Sequence, residues 1–371
     1  MRPRRIICTV TTDLTYDQRM QRICTTLAGA GYRVTLVGRE LPQSLPFTQQ
    51  NYTQHRLRCR YHGGKLFYLE YNWRLYRWLI EQEFDAICAV DLDTLWAAAR
   101  AVKVRGGRLV YDAHEYFTET PEVVRRPAVQ RAWAGLADRY LPRVAAAYTV
   151  SEGLAELLIA RYRVPFGVVR NIAVANPVTA VTAMPRFILY QGALNEGRGL
   201  PELLHAVTAL PELHLRLAGE GDLSDELRQL TQQLKLSGRV HFLGYVTPDR
   251  LPTLTASAWL GYNLLEDRGL SYRYSLANKT FDYYRAGLPA LHSSLPEYIR
   301  LAERHGGVVL VDRLRPENIV AAVRSLLLNT NLYQQLQQES AAAGRVLTWE
   351  NEAPRLLDIY ASVFASSSSA K

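Results

Sequence analysis

Short apolar runs and amphipathic stretches alternate along almost the whole chain. In the first half, Ile6–Val10, Val34–Val37, Ala86–Val90, Leu109–Tyr111, Tyr148–Val150 and Gly167–Val169 predict strands. Each is apolar throughout, the pattern of a parallel strand covered on both faces. Between them, periodic apolar positions predict helices over Asp17–Ala30, Asn72–Gln82, Leu95–Val104 and Ser151–Tyr162. Ser151 is placed to cap the last of these, with Glu152 favourable in its first turn. The second half repeats the rhythm, with strands predicted at Phe187–Tyr190, Leu213–Ala218, Val240–Leu243, Ala258–Tyr262, Pro289–Leu291 and Val308–Val311. Helices are predicted over Pro201–Ala209, Asp225–Lys235, Pro248–Ala256, Asn278–Arg285, Pro316–Leu328 and Leu332–Gly344. Strands alternating with helices of this size imply an α/β fold of doubly wound parallel sheets.

A chain of 371 residues exceeds the usual single core and predicts two domains. The aperiodic stretch Asn171–Pro185 is the natural linker, giving domains over 1–170 and 171–349. The Ser-rich end, 365–371, is expected to be disordered.

Composition narrows the class. The hydrophobic share of 48% and charged share of 21% are those of a soluble globular protein. No apolar run approaches the roughly 18 residues that span a bilayer. The start, Met-Arg-Pro-Arg-Arg, runs straight into a strand and does not read as a signal peptide. Cys8, Cys24, Cys59 and Cys88 show no paired spacing, so free thiols, no metal site and a cytoplasmic location are expected. Residues 1–170 hold 25 Lys and Arg against 16 Asp and Glu, whereas the two signs balance in the remainder. The basic half is either an arginine-rich surface or a site for an anionic membrane face, a lipid-phosphate acceptor or nucleic acid. Nothing resembles a nucleic-acid-binding module, so nucleic acid is set aside and peripheral contact with the inner membrane face is expected.

In doubly wound sheets ligands sit beyond the carboxyl ends of strands, so polar residues just after a strand are the candidates for chemistry. The strongest is the segment Tyr274-Ser-Leu-Ala-Asn-Lys-Thr-Phe-Asp282. Asn278 and Lys279 stand where a helix begins, and free N–H groups, the helix dipole and a cation suit a diphosphate there. Asp282, one turn on, can accept two hydrogen bonds from a ribose diol. Gly192-Ala-Leu-Asn-Glu-Gly-Arg-Gly199 follows a strand, so its glycines can let backbone approach an anion while Arg198 forks onto phosphate oxygens. Gly219-Glu-Gly221 alone signals only a turn. His114, in Tyr111-Asp-Ala-His-Glu-Tyr116, can donate to a sugar hydroxyl or phosphate, while Asp112 and Glu115 are site groups or helix caps. Asp13 and Arg19 follow the first strand, where no Gly-x-Gly-x-x-Gly occurs, which counts against a nicotinamide dehydrogenase. Asp17 reads as the cap of the first helix. Asp91-Leu-Asp93-Thr94 either orients an acceptor or caps a helix.

These motifs together resemble the retaining family 4 glycosyltransferases of the GT-B fold, two Rossmann-like domains facing across a cleft. The resemblance adds Thr149-Val-Ser-Glu152, Phe242-Leu-Gly-Tyr-Val246 and a terminal helix over 350–364 that packs back on the first domain. It implies that Asp282 holds the donor ribose, that Lys279 and Arg198 meet the diphosphate, and that His114 lies beside the donor sugar. Gly192 belongs to the phosphate loop, and Tyr245 and Val246 lie where backbone meets the base. Tyr274 and Ala193 depart from the pattern, standing where the family has a sugar-contacting carboxylate and a phosphate-binding arginine. The implied reaction moves a sugar from a UDP- or GDP-sugar, with no further cofactor or metal, to a hydroxyl of a glycan or lipid-linked acceptor in envelope or exopolysaccharide synthesis. A degenerate nucleotide-sugar-binding partner and a nucleotide-sugar epimerase are the alternatives.

Overall fold

The computed structural model describes residues 2–15, 17–175 and 185–365. Most of the expected linker and all but the first residue of the expected tail lie outside these. The chain divides into two compact units, Met1–Asn171 with Glu352–Lys371, and Ile172–Asn351.

The first unit is a parallel sheet of seven strands, β1 (Arg5–Thr9), β2 (Arg33–Glu40), β3 (Thr53–Arg58), β4 (Ala86–Val90), β5 (Arg108–Ala113), β6 (Ala146–Thr149) and β7 (Phe166–Val168), in the order β3-β2-β1-β4-β5-β6-β7. The central β4 is buried at every position, whereas edge strand β3 buries only Leu57. The second sheet runs β10-β9-β8-β11-β12-β13, from β8 (Phe187–Gln191), β9 (His214–Ala218), β10 (Val240–Gly244), β11 (Leu260–Asn263), β12 (Ala290–Ser293) and β13 (Val308–Val311). Helices lie between successive strands of each sheet except β2 and β3, so this is the α/β doubly wound architecture expected from the alternation. Cys8 and Cys88 face each other in register across β1 and β4 as free thiols.

Local signals hold in detail. The Asp17 carboxylate accepts the Met20 N–H at 3.0 Å, and Ser151 caps helix Glu152–Tyr162 through the Leu154 N–H. The last helix, Trp349–Ala365, lays the buried Leu356, Tyr360 and Val363 against the first unit, with Tyr360 ring-to-ring at 6.4 Å from both Tyr32 and Tyr148. Arg170 fixes its start through Glu352 at 2.9 Å.

Candidate active site

In the second sheet the strand order reverses between β8 and β11, the position where such sheets open a crevice for a ligand. Loop 192–199 leaves β8 there. Gly192 has φ +126° and Gly219 φ +148°, both in the region that favours glycine. A Cβ on Gly219 would stand 2.0 Å from the Gly192 carbonyl oxygen, and one on Gly221 would stand 2.3 Å from the Asn195 side-chain oxygen. The two loops are pressed backbone to backbone, tied by the Gly192 N–H on the Ala218 carbonyl at 2.9 Å. Gly219-Glu220-Gly221 is therefore part of this construction rather than a bare turn. Gly244 bridges to Gly219, which brings Tyr245, 65% exposed, and Val246 beside it.

Lys279 lies against the first loop, its Cε 3.4 Å from where a Gly192 Cβ would be. The side chain is buried, with Nζ 4.0 Å from the centre of the Tyr190 ring. The Arg198 guanidinium lies 5.1 Å from the Tyr272 ring centre, and its buried Nε has no partner. Among the described residues neither cation has a carboxylate partner in an ion pair. Burial and then the Arg198 charge push the Lys279 ammonium well below its usual range, against a partial opposing effect of Asp282. Helix Asn278–Arg285 begins at Ala277 with no side-chain cap and no acid in its first turn. Two basic side chains with no ion-paired carboxylate, beside helix N–H groups that no side chain caps, form a candidate site for an anion, whose charge would favour the Lys279 ammonium.

Asp282 is fixed by a 2.8 Å hydrogen bond from Gln191 Nε2 and a 3.2 Å one from Arg285, and the Thr255 hydroxyl holds Gln191 in turn at 2.8 Å. Beneath the first turn, Asn263 Nδ2 and His292 Nε2 each lie 3.0 Å from the Thr280 hydroxyl. Tyr274 ends the short helix Gly269–Arg273. The second unit thus gathers Gly192, Arg198, Asn278, Lys279 and Asp282 around one helix terminus. Tyr190, Gln191 and Tyr272 escaped the sequence reading. The only signal for Gln191 is a polar residue closing an apolar strand.

In the first sheet the order reverses between β1 and β4, and the Thr11 hydroxyl donates to Asp93 across that gap. His114 follows β5, its N–H on Asp91 Oδ1 at 2.9 Å and its Nε2 3.1 Å from Asp112 Oδ2. Burial pushes the imidazole down, but Asp112 and Asp91 outweigh it and hold it at about 9. Burial lifts the Asp91 carboxyl to about 8, whereas the Arg19 and His114 charges hold the Asp112 carboxyl below the usual range against its burial. Asp91 has φ +54° and opens helix Asp91–Arg105 directly from β4, so neither Asp93 nor Thr94 is its cap.

Two expectations are corrected here. Arg19 does not face a ligand: it is 4% exposed, holding buried Asp112 at 2.9 Å and the Val169 carbonyl at 3.0 Å. Asp112 accordingly serves this buried pair and His114, not a helix cap. Asp13 is likewise absorbed by its own loop, accepting from Ser44, from the Thr15 N–H at 2.9 Å and from Arg56 at 3.1 Å.

The fold is that of a GT-B protein, two doubly wound units, with a candidate anion site at the switch point of the second. Residues 18–173 match the family described as Glycosyltransferase Family 4, and residues 185–329 match Glycosyl transferases group 1. The first match falls almost wholly on the first unit and the second lies within the second unit. It is 25% identical over 181 residues to the uncharacterized glycosyltransferase MJ1607 of Methanocaldococcus jannaschii, covering 47% of this chain and 44% of that one. It is 34% identical over 90 residues to the lipopolysaccharide core biosynthesis glycosyltransferase LpsE of Rhizobium meliloti, covering 24% of this chain and 26% of that protein. The chain thus spans less than half the length of either curated relative. Among solved structures it resembles sucrose-phosphate synthase from Thermosynechococcus elongatus, with a TM-score of 0.80, 15% identity and coverage of 98% and 100%. It also resembles Anabaena Alr3699/HepE in complex with UDP and glucose, with a TM-score of 0.76, 15% identity and the same coverage.

Proposed function

We propose that this protein is a retaining glycosyltransferase that moves a sugar from a UDP- or GDP-sugar to a hydroxyl of a glycan or lipid-linked acceptor in cell-envelope or exopolysaccharide synthesis. The observation that carries the reading is the pair Lys279 and Arg198, two cations without acid partners at an uncapped helix terminus. A diphosphate supplies the missing negative charge. As the glycosidic bond breaks, its electron pair passes to the leaving phosphate oxygen, and Lys279, Arg198 and the N–H groups at Asn278 stabilise that charge. The acceptor hydroxyl attacks the same face of the sugar, and its proton goes to the departing phosphate oxygen. These groups meet the electrostatic demand that a metal ion meets elsewhere, so the reading needs no cofactor beyond the donor. Asp282 receives the ribose diol in this reading, held in place by Gln191. The lipopolysaccharide enzyme among the relatives supports an envelope acceptor.

Calorimetry with UDP, GDP and their sugars tests the site, and failure of every nucleotide to bind rejects it. Lys279→Ala is expected to slow transfer about 10²-fold or more, as loss of one preorganised donor to a developing charge does. An unchanged rate removes Lys279 from the mechanism. Tyr274, standing where a sugar-contacting carboxylate is expected, favours one second reading, a non-catalytic donor-binding protein. Donor binding without turnover across an acceptor panel would select it.

A further inference from the structure

The helices flanking the first sheet carry a surface that the candidate site leaves unused. Helix Gly64–Glu81 is apolar on two sides. Phe67, Tyr71, Leu75 and Leu79 are its buried face. Leu66, Leu69 and Trp73, at 48, 68 and 55% exposure, form a second stripe at helical spacing on the outside. Lys65 and Arg77 are exposed along the same helix, where Arg74 pairs with Glu70 at 2.8 Å, and the Arg77 guanidinium lies 5.6 Å from the Trp73 ring centre. Tyr76 meets Trp96 of helix Asp91–Arg105 edge-on at 5.8 Å, which carries the face onto the next helix. There a groove of about 450 Å³ opens toward helix Pro127–Tyr140, lined by Trp96, Leu136 and Tyr140 with Arg100 and Arg139. Among the described residues neither of these arginines has an acid partner.

We propose that the outer face of these three helices docks on an anionic lipid surface, with a lipid phosphate seated between Arg100 and Arg139. An exposed Leu and Trp stripe bordered by cations matches the composition of helices that lie in a bilayer interface, where Trp sits at headgroup level. A groove whose walls are aromatic and aliphatic and whose charged groups are both cations suits an amphiphile with a negative head. The excess of basic residues in 1–170 adds the long-range attraction. No helix among the described residues is long and apolar enough to cross a membrane, so the contact is in-plane. The inference goes beyond the transfer reading and stands without it.

The test is co-sedimentation of the full chain with vesicles of phosphatidylcholine alone or with phosphatidylglycerol added. Binding is expected only with the anionic lipid, and it weakens as salt rises. Each cation near such a surface contributes about 1 kcal/mol, roughly fivefold in affinity. The pair Arg100→Gln and Arg139→Gln should therefore lower binding about tenfold or more. The pair Leu69→Ser and Trp73→Ser should lower it at unchanged charge. Unaltered thermal unfolding of both variants shows that they remain folded. Equal binding to neutral and anionic vesicles, no binding to either, or unchanged binding of both variants overturns the proposal.

Discussion

At the scale of single residues the first unit is organised by a buried chain of charges, Arg19 to Asp112 to His114. Asp112 is fully buried and has two cationic partners, and its carboxyl is held below the usual range although burial alone would raise it. Removing one partner from such a pair leaves a charge out of water and unmatched, which is why Arg19 belongs to the architecture and not to a ligand. His114 is the other end of the chain, and its folded value of about 9 exceeds the ordinary 6.5. A group raised on folding contributes stability fully below about 6.5, and that contribution is lost as pH rises through about 9. NMR titration should find the His114 imidazole still charged at neutral pH. Asp112→Asn removes the counter-ion, after which burial dominates and His114 should titrate at or below its ordinary value. A wild-type midpoint near 6.5 would contradict the geometry read here.

At the scale of elements the critical contact is between the two glycine loops that follow β8 and β9. Any side chain at Gly219 meets the Gly192 carbonyl at a separation no packing tolerates, and its φ is one that other residues rarely adopt. Gly219→Ala should therefore lower unfolding stability by about 1–3 kcal/mol, as overpacking and backbone strain do, measurable by denaturant titration. The displaced loop should also weaken nucleotide binding. Most elements were legible because buried parallel strands are continuously apolar and their helices periodic. Helix Asn278–Arg285 and strand β4 fall on the residues the pattern marks. Strand β3 was missed because, as an edge strand, it is polar at all but one position. Helix Pro127–Tyr140 was missed because only Ala137 of its residues is buried. The pattern marks the Gly64–Glu81 helix only from Asn72, because apolar residues on two faces blur a single period. The residues of the candidate site are legible where polar residues follow a strand. Its supports were not, because Gln191 and Asp282 lie 91 positions apart and meet only through the sheet.

At the scale of the whole molecule the last helix makes the first unit discontinuous in sequence. Residues from Glu352 onward group with the first 171, although the second unit intervenes. Leu356, Tyr360 and Val363 are at most 2% exposed, Ile359 fills the space over Gly167, and Glu352 binds Arg170. Each large apolar side chain buried this fully is worth roughly 1.5–3 kcal/mol. A chain ending at Asn351 would lose all three and leave Arg170 with Glu152 as its remaining salt-bridge partner. Such losses rival the 5–15 kcal/mol that typically separates folded from unfolded states. Hydrogen exchange on the truncated chain should show β1, β6 and β7 losing protection while β8 to β13 keep theirs, because the second sheet and its core contain none of the deleted residues. If the candidate nucleotide site is wholly a property of the second unit, the same truncated chain should still bind UDP or GDP by calorimetry. Loss of protection in both sheets together would instead mean that the two units fold as one.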